Sequence, residues 1–385
     1  MPRILIIHNT YFEKGGEDSV VQQDISLLRK NGYEVYTCFF SNEVFRKPGW
    51  KIPLLAINLF YNLAAYVRVY RMVKKNRIGF VHVHNFFYTA SASVFWAAKA
   101  AGATTIFTVH NYRLFCLNGF FFRNGTTCML CEEQQSFRPG IQHRCFRSSG
   151  IASRMLASML AMHRRRGTWQ KKVDRYVVLN PLVQELLLKN GIPQNRILTR
   201  HNFLDASLEQ PVPVYASREA YYLFVGRISE EKGIRPLVEA FRKTNLQLRI
   251  VGDGPLAGWV KDHAGGNISY HEAIPREQLF SWYASCKALV FPSLWPEGQP
   301  MVILEAQSTG TLTIAARSAI TTEMVGDKHG ILYDMGSAEH LLSAMVIFEQ
   351  AVPEQLQQMS EATHRHFRKT HTETAYLRAL PQVYA

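Results

Sequence analysis

Short apolar runs alternate with helical patterns along this chain, and the alternation occurs twice. The first series has strand-like runs at 4–7, 34–40, 79–84 and 104–110, with helical patterns after Gly15-Gly16 and at 51–75 and 91–101. The second series has strand-like runs at 221–226, 247–252, 289–291 and 313–315, with helical patterns at 234–243, 276–286 and 301–309. Strands that alternate with helices of this length predict parallel sheets covered on both faces. We therefore expect an α/β protein with two Rossmann-like domains.

The chain is too long for one ordinary hydrophobic core. It has 385 residues, of which 47% are hydrophobic, and a chain of this length favours two domains of roughly 150–200 residues each. We expect an N-terminal domain at 1–205, with a cysteine-rich insert at 112–148, and a C-terminal domain at 206–365. A C-terminal helix at about 365–385 is expected to pack back on the first domain.

The positive charge is confined to the first predicted domain. Residues 1–205 hold 28 Lys and Arg against 11 Asp and Glu, a net charge of +17. Residues 206–385 hold 16 against 19, a net charge of −3. A basic excess of this size indicates an anionic partner, that is, a membrane surface, a nucleic acid or a phosphorylated ligand.

No segment of the sequence has the pattern of a signal peptide or a membrane span. The apolar run at 4–7 is too short for a signal peptide, and no small-residue cleavage site follows it. The stretch 52–70 is interrupted by Asn58, Asn62 and Arg68, so it falls short of the roughly 20 apolar residues that a spanning helix needs. We expect a cytoplasmic protein, in which six cysteines argue against a disulfide framework.

Two cations follow the strand-like run at 221–226. Arg227 and Lys232 are five residues apart and flank the predicted start of a helix. Two positive charges and the N–H groups of a helix N-terminus together suit a diphosphate. The alternative for this segment is a solvated surface loop.

Two glutamates flank the next predicted helix start. Glu297 precedes Pro300, a residue suited to the first turn of a helix, and Glu305 lies on the second turn. Carboxylates at these positions can each accept hydrogen bonds from two sugar hydroxyls, those of a ribose or of a hexose. The alternative is a Glu297 that caps the helix and a solvated Glu305.

Together these segments resemble the retaining glycosyltransferases of family 4, which have the GT-B fold. The resemblance covers nearly the whole chain and rests on four motifs: Glu297-x7-Glu305, Gly226-Arg227-Ile228 with Glu231-Lys232-Gly233, Gly252-Asp253-Gly254-Pro255 and Gly15-Gly16. It implies two Rossmann-like domains that face each other across a cleft. It also implies transfer of a hexose from a UDP- or GDP-sugar donor to a saccharide acceptor, which is lipid-linked in many members.

The resemblance implies roles for the charged residues. Arg227 and Lys232 would bind the donor diphosphate and stabilise the charge that develops on the leaving group. Glu297 would contact the donor hexose, and Glu305 would hold the ribose hydroxyls. His110 corresponds to the histidine on the acceptor side in this family. The resemblance therefore implies four catalytic residues, namely His110, Arg227, Lys232 and Glu297.

Further donor contacts are implied by the same resemblance. Gly15 and Gly16 would let the backbone of the first loop approach the donor phosphate closely. Glu323 matches a family position in the loop after the run at 313–315. The remaining implied donor-binding residues are Gly298, Gln299 and Met301.

Two positions depart from the family pattern. Gln299-Pro300 stands where many members have Phe-Gly, and Asn202-Phe203 stands where many have Asn-Gly. The resemblance implies catalysis without a metal, and the sequence has no Asp-x-Asp motif that would hold Mg²⁺ against a diphosphate. The leaving phosphate would then help to deprotonate the acceptor on the same face of the sugar.

Four of the six cysteines lie close together in the sequence. Cys116, Cys128, Cys131 and Cys145 have the spacing C-x11-C-x2-C-x13-C, and the Cys128–Cys131 pair suits two thiolates on one structural zinc ion. His143 is a substitute ligand. The alternatives are a redox pair and reduced cysteines that only pack.

Segments 51–77 and 154–175 combine apolar side chains with many cations. Such segments are typical of interfacial helices on anionic lipid, which predicts peripheral association with the inner face of the cell membrane. The alternative is that the apolar faces pack on the sheet.

Other functional classes fit less of the sequence. A nucleotide-sugar epimerase or a phosphorylase on the same fold is the alternative enzyme. A nucleic-acid-binding zinc protein would leave the glutamate pair and the acidic second half unexplained, so we expect no nucleic-acid partner. The first strand leads into Gly15-Gly16 without a G-x-G-x-x-G motif, which disfavours a dinucleotide oxidoreductase.

Overall fold

The structure is a computed structural model that describes residues 2–10, 16–43, 52–205 and 211–385, with the backbone alone at 52–55. The chain divides into two compact units. Unit 1 comprises Met1–Gly119, Met129–His201 and Leu377–Ala385, and unit 2 comprises Phe120–Cys128 and Asn202–Tyr376. Gly15 lies outside the described residues.

The first half of the chain supplies the sheet of unit 1. Its strands are β1 Arg3–Thr10, β2 Glu34–Ser41, β3 Phe80–Val83, β4 Thr104–Val109, β5 Phe122–Arg123, β6 Thr126–Thr127, β7 Arg175–Val178 and β8 Ile197–Thr199. Its helices are α1 Gly16–Lys30, α2 Ile52–Phe60, α3 Leu63–Asn76, α4 Ser93–Ala100, α5 Leu130–Glu133, α6 Arg138–Gln142, α7 Gly150–Arg165, α8 Thr168–Lys172 and α9 Pro181–Lys189. A parallel sheet has the order β2-β1-β3-β4-β7-β8, and β5 and β6 form an antiparallel hairpin that belongs to unit 2.

The order of strands in this sheet reverses between β1 and β3. The register pairs Ile7 with Val83 and Val83 with Phe107, so the carboxyl ends of β1, β3 and β4 lie side by side. His8 lies on β1 near its end, and His84 and His110 directly follow β3 and β4. In open parallel sheets this edge, at the point of reversal, is where ligands bind.

The predicted helix at 51–75 is two helices. Asn62 ends the continuity because it caps α3: its side-chain oxygen accepts a hydrogen bond from the Ala65 N–H at 3.0 Å. Its side-chain amide donates to the Thr89 carbonyl oxygen at 2.7 Å. An asparagine that satisfies the first N–H groups of a helix fixes where that helix begins.

The second half of the chain supplies unit 2. Its strands are β9 Tyr221–Val225, β10 Gln247–Val251, β11 Ile268–His271, β12 Ala288–Phe291, β13 Leu312–Ala316 and β14 Gly330–Tyr333. Its helices are α10 Ile234–Arg242, α11 Ala257–His263, α12 Arg276–Ser285, α13 Met301–Ser308, α14 Ala319–Met324, α15 Ala338–Gln350 and α16 Pro353–Thr370, and α17 Glu373–Val383 passes from unit 2 into unit 1. These strands form a parallel sheet in the order β11-β10-β9-β12-β13-β14.

The strand order of unit 2 reverses between β9 and β12. Leu223 of β9 pairs with Leu289 of β12, so the loops that follow these two strands leave the sheet next to each other. Arg227 and Lys232 lie in the first loop and Glu297 in the second. The reversal therefore brings together predicted site residues that are 65 positions or more apart in the sequence.

Glycines allow the loops after β9 and β10 to approach closely. Gly252 has a φ of 150°, and a Cβ atom on it would lie 1.9 Å from the Gly226 carbonyl oxygen. The Ile228 N–H donates to the Asp253 carbonyl oxygen at 2.9 Å, and the Leu256 N–H donates to the Ile228 carbonyl oxygen at 2.9 Å. No side chain fits between these backbones. The close packing of the two loops therefore requires the glycines of the predicted Gly252-Asp253-Gly254 motif.

The predicted elements are present, with bounds shifted by one or a few residues, and the predicted α/β class is confirmed. Among the described residues, β5, β6, β7, β8, β11 and β14 were not predicted. Each of these strands has four residues or fewer, which makes them hard to distinguish from loops.

The structure adds detail to the predicted domains. The units change between His201 and Asn202; the predicted boundary at 205/206 adjoins residues outside the described ones and stays a prediction. The predicted helix at about 365–385 is the end of α16 followed by α17, of which Leu377–Ala385 belongs to unit 1. The 120–128 part of the predicted insert belongs to unit 2.

Gly233→Ala should destabilise unit 2 far more than Gly266→Ala. Both glycines have a left-handed backbone, with φ values of 70° and 61°, but a Cβ on Gly233 would lie 2.0 Å from the Pro292 carbonyl oxygen and one on Gly266 meets nothing within 4 Å. Gly266→Ala should cost roughly 1–2 kcal/mol, the penalty for a side chain in this conformation. Gly233→Ala should cost more, because backbone must also move. Urea unfolding of the two variants measures this, and equal losses would contradict the packing described.

Candidate active site

An ion pair links the loops that follow β9 and β12. The Lys232 Nζ lies 2.5 Å from Glu297 Oε1, and the Ser293 hydroxyl donates to the same oxygen at 2.7 Å. The Glu297 side chain is 8% exposed and that of Lys232 is 23% exposed. A buried carboxylate is thus satisfied, while its lysine partner keeps access to solvent.

The local backbone holds the two loops in this arrangement. Lys232 ends a 3₁₀ turn, and the Leu294 N–H donates to the Glu231 carbonyl oxygen at 2.8 Å. The Lys232 Nζ also lies 5.6 Å from the centre of the Trp295 ring, within the range of a cation–π contact. A carboxylate and an indole ring therefore fix the position of the ammonium group, which would otherwise be a flexible group in solvent.

The other predicted donor-binding residues surround this pair in sequence. Arg227 is exposed, and Gly298 and Met301 are partly exposed. Gln299 is buried, and its Oε1 accepts a hydrogen bond from the Asn202 N–H at 2.6 Å. The buried Nε2 of Gln299 has no hydrogen-bond partner within the described part of the chain, so it can still donate to a ligand.

Glu305 is buried on the second turn of α13. Arg276 Nε donates to its Oε1 at 2.7 Å, and the Tyr283 hydroxyl donates to its Oε2 at 3.0 Å. Burial raises the pKa of Glu305, and the Arg276 guanidinium opposes that rise. The alternative of a solvated Glu305 is wrong, and Glu297 makes no helix cap, since the cap position of α13 is Pro300 and carries no side-chain hydrogen bond.

Three histidines stack at the carboxyl edge of the sheet in unit 1. The ring centres of His82 and His84 are 4.4 Å apart, and those of His84 and His110 are 5.2 Å apart. A hydrogen bond of 2.9 Å joins His84 Nδ1 and His110 Nε2. His82 and His84 are buried, whereas His110 is partly exposed. The predicted acceptor-side histidine is therefore the outermost ring of a polar stack.

These histidines are held neutral. Burial lowers the pKa of His82 and His84 well below 6.5. Burial, with the electrostatic influence of His8 and of the Arg200 guanidinium, lowers the pKa of His110 to about 3. A neutral imidazole has one nitrogen that donates and one that accepts, so His110 can act as a hydrogen-bond acceptor across the physiological pH range.

Other polar residues near this edge of the sheet were not predicted from the sequence. His8 lies 2.8 Å from Asp18 Oδ1 through its Nε2, and Asp24 of α1 lies 3.1 Å from Arg200. The sequence did contain an indication of the histidine stack. His82 and His84 alternate at the end of one predicted strand, and His110 stands at the end of the next predicted strand. Gly16, the first residue of α1, has open space where a Cβ would stand.

The structural zinc ion at Cys116, Cys128, Cys131 and Cys145 stays a prediction. No three His, Cys, Asp or Glu side chains in the described ranges lie close enough together to hold a metal ion. Cys128 ends the β5–β6 hairpin in unit 2, whereas Cys116, Cys131 and Cys145 belong to unit 1, and the Cys116 thiol donates to Asn118 Oδ1 at 3.0 Å. None of the six cysteines forms a disulfide, and Cys38 and Cys286 are buried in the core.

The segment 120–128, which contains the β5–β6 hairpin, packs on the loop after β12. Phe120 meets the Trp295 ring edge-on, with centres 5.0 Å apart, and the Thr127 hydroxyl donates to the Leu294 carbonyl oxygen at 3.3 Å. The predicted insert therefore contributes to the surroundings of the Lys232–Glu297 pair. Glu323 lies in helix α14, not in a loop as predicted, and is exposed.

Acid should destabilise the fold through the neutral histidines. Their folded pKa values are lowered, whereas unfolded histidines take up protons below about pH 6.5, so stability is present above that pH and is lost as the pH falls. Each of His82, His84 and His110 should remove roughly 1.4 kcal/mol of unfolding free energy between pH 7.5 and 5.5. Urea unfolding at the two pH values measures the loss, which should be roughly 1.4 kcal/mol smaller in His110→Asn. Equal stability of the wild type at both pH values would contradict the neutral stack.

Comparison with known proteins agrees with this architecture. A family model for glycosyl transferases group 1 matches residues 209–366, and a model for a glycosyl transferase 4-like domain matches residues 15–202. A sucrose-phosphate synthase from Thermosynechococcus elongatus has a similar structure, with a TM-score of 0.71 over 100% of this chain and 98% of that chain at 17% identity. At this identity the similarity concerns the fold, which is the predicted GT-B fold.

Two curated relatives are mannosyltransferases by name. The GDP-mannose-dependent alpha-mannosyltransferase of Corynebacterium glutamicum is 33% identical over 122 residues, which are 31% of this chain and 29% of that protein. The O-antigen chain mannosyltransferase B of Escherichia coli is 26% identical over 187 residues, which are 42% of this chain and 48% of that protein. The matched segments thus span less than half of each relative. Since the two family models together cover both units and the fold agrees, the chain belongs to the group 1 glycosyltransferases, of the family 4 type.

Proposed function

We propose that the chain transfers a mannosyl residue from GDP-mannose to a saccharide acceptor, with retention of the anomeric configuration. The observation that carries the transfer is the Lys232–Glu297 pair at the reversal of strand order in unit 2. The names of both relatives support mannose as the sugar, and the name of the Corynebacterium glutamicum relative supports GDP as the nucleotide. A UDP-sugar is the alternative donor.

Lys232 is suited to bind the donor diphosphate. Its ammonium group is partly exposed, lies at the carboxyl edge of the sheet and is fixed by Glu297 and Trp295. A cation placed in advance stabilises the charge that develops on the leaving diphosphate without reorganising. Arg227, exposed in the same loop, supplies a second cation.

Glu297 is suited to bind the donor hexose. When Lys232 turns to a phosphate, Glu297 Oε1 keeps the hydrogen bond from Ser293 and can accept another from a sugar hydroxyl. A buried carboxylate that loses a lysine partner needs such a replacement. This exchange of partners couples diphosphate binding to sugar binding.

Glu305 is suited to the vicinal hydroxyls of the ribose. Arg276 and Tyr283 each donate to one of its oxygens, which fixes the plane of the carboxylate. Each oxygen has a second lone pair, so the group can still accept hydrogen bonds from two neighbouring hydroxyls. The rigid support favours a ligand with fixed spacing between its donors.

Lys232→Met should lower kcat for transfer from GDP-mannose roughly 10²–10³-fold, the usual cost of one lost group that stabilises developing charge. Glu297→Gln keeps the shape and should also lower kcat. Lys243→Met is the matched control, because Lys243 is another lysine of unit 2 that pairs with glutamates, at 3.1 and 3.2 Å, away from the loops after β9 and β12. Radiolabelled transfer measured with GDP-mannose and with UDP-glucose makes the comparison.

Two results would overturn parts of this proposal. Equal turnover of Lys232→Met and Lys243→Met would remove Lys232 from the donor site. Faster transfer from UDP-glucose than from GDP-mannose would replace the proposed donor. An epimerised nucleotide sugar or a sugar phosphate as the product would support the alternative enzymes.

We also propose that unit 1 binds an anionic membrane surface that carries the acceptor. In the structure only part of the apolar surface of the two basic segments is available, because Val69, Leu156 and Leu160 are among the buried side chains. Ile57 and Leu63, each 65% exposed, and Ile151, which precedes the second segment and is 79% exposed, remain accessible. Exposed cations on the same helices or next to them are Arg68, Arg71, Lys74, Lys75, Arg77, Arg154, Arg165, Arg166 and Lys171.

This combination suits shallow docking on the membrane. Each cation near an anionic lipid surface contributes about 1 kcal/mol, and exposed isoleucines and leucines can enter the headgroup region. Within the described ranges no helix is long and apolar enough to span a bilayer.

Co-sedimentation with vesicles tests the docking surface. The chain should sediment with vesicles that contain phosphatidylglycerol and not with pure phosphatidylcholine, and Ile57→Ser combined with Ile151→Ser should weaken that binding several-fold. Ile347→Ser is the control, since Ile347 is 58% exposed but lies in unit 2. Equal recovery with both kinds of vesicle would contradict the proposal.

A further inference from the structure

We propose that His84 and Asp24 are positioning residues that fix the tautomer of His110, so that His110 Nδ1 presents a lone pair to a substrate hydroxyl. The identity of that hydroxyl rests on the proposed function, whereas the tautomer itself does not. The inference is independent of the family resemblance, which concerned His110 alone.

The two histidines meet because they follow neighbouring strands. His84 comes directly after β3 and His110 directly after β4, and the register pairs Val83 with Phe107. The hydrogen bond between His84 Nδ1 and His110 Nε2 is 2.9 Å long. Since both rings are neutral, this bond contains one proton, and one ring donates while the other accepts.

Asp24 decides which ring donates. The His84 Nε2 lies 3.8 Å from Asp24 Oδ2, and it is buried without a hydrogen-bond partner among the residues that the structure describes. An N–H at this nitrogen directs positive charge toward the carboxylate, whereas a bare nitrogen would direct its lone pair there. In a buried site the first arrangement is favoured, because weak screening strengthens electrostatic interactions.

Arg200 holds the Asp24 carboxylate in place. Its Nη2 lies 3.1 Å from the same Asp24 Oδ2, and both side chains are at most 4% exposed. An ion pair of this kind keeps Asp24 ionised and in place. Asp24 lies on α1, and Arg200 directly follows β8. The ion pair therefore joins parts of unit 1 that are distant in the sequence.

The consequence for His110 follows by elimination. With its proton on Nε2, His84 offers Nδ1 as an acceptor, and His110 must then donate from its Nε2. The neutral His110 ring has no second proton, so its Nδ1 carries a lone pair. His110 is partly exposed, and it can accept a hydrogen bond from a sugar hydroxyl and orient that hydroxyl. No proton is transferred to the ring in this role.

The third ring of the stack provides a contrast. His82 Nδ1 lies 2.6 Å from the Tyr384 hydroxyl, and His82 Nε2 lies 2.7 Å from the Thr108 hydroxyl. A hydroxyl both donates and accepts, so neither partner selects a tautomer. Thr108 is therefore a suitable control position, because it shares the stack without sharing the chain from Asp24 to His110.

Nitrogen NMR on the full chain labelled with ¹⁵N-histidine tests the tautomer directly. We expect His110 to carry its proton on Nε2 and His84 to carry its proton on Nε2, with His110→Asn used to assign the signals. Asp24→Asn should shift His110 toward the Nδ1–H form. A wild-type His110 that is protonated on Nδ1 would overturn the inference.

Kinetics test the consequence for transfer. His84→Phe keeps a stacked ring but no acceptor, and it should lower kcat on the order of 10–100-fold, as loss of an orienting partner does for other histidines, with KM for the donor unchanged. His84→Asn should recover part of the loss, because its Oδ1 can replace Nδ1 as the acceptor. Thr108→Val should retain wild-type kcat.

The outcomes separate the inference from the proposed function. Equal kcat for His84→Phe and the wild type, or equal loss in His84→Phe and His84→Asn, would overturn the positioning role. If His110→Asn is fully active while the NMR result holds, the proposed contact of His110 with substrate fails and the tautomer assignment stands. Should His84→Phe fail to fold, the wild-type NMR measurement still decides.

Discussion

The reversal of strand order between β9 and β12 is the constraint on which the donor side depends. Lys232 and Glu297 are 65 residues apart, and they meet because the loops after two paired strands leave the sheet side by side. Gly233 permits the close backbone approach of these two loops, and Gly252 permits that of the loops after β9 and β10. The strand order of the sheet therefore brings the two side chains together, and the local sequence of the loops then fixes their contact.

The same physical arrangement recurs in unit 1 with different chemistry. There the strand order reverses between β1 and β3, and neutral histidines occupy the edge where unit 2 has charged side chains. A charged site suits a diphosphate, and a neutral acceptor suits a hydroxyl. Two parallel sheets, each with a reversal of strand order, thus carry chemically distinct side chains at that edge, which suits the proposed division between a donor and an acceptor.

The sequence predicted elements and site residues better than it predicted contacts. The β/α alternation and the spacing of Glu297 and Glu305 sufficed to place both glutamates beside a helix start. The partners Arg276 and Tyr283 lie on α12, and Asp24 lies 60 residues before His84, so no local pattern could reveal them. Cys116, Cys128, Cys131 and Cys145 are close in the sequence, yet no three His, Cys, Asp or Glu side chains of the described residues lie close enough together to hold a metal ion.

The central claim is that Lys232 exchanges Glu297 for the donor diphosphate. A crystal structure of the chain with GDP tests it most directly. We predict a diphosphate oxygen within about 4 Å of Lys232 Nζ, the range of an ion pair, and Glu297 Oε1 still bonded to Ser293 but no longer to Lys232. A GDP molecule bound elsewhere, or one bound with the Lys232–Glu297 pair intact and no contact to Lys232, would contradict the account.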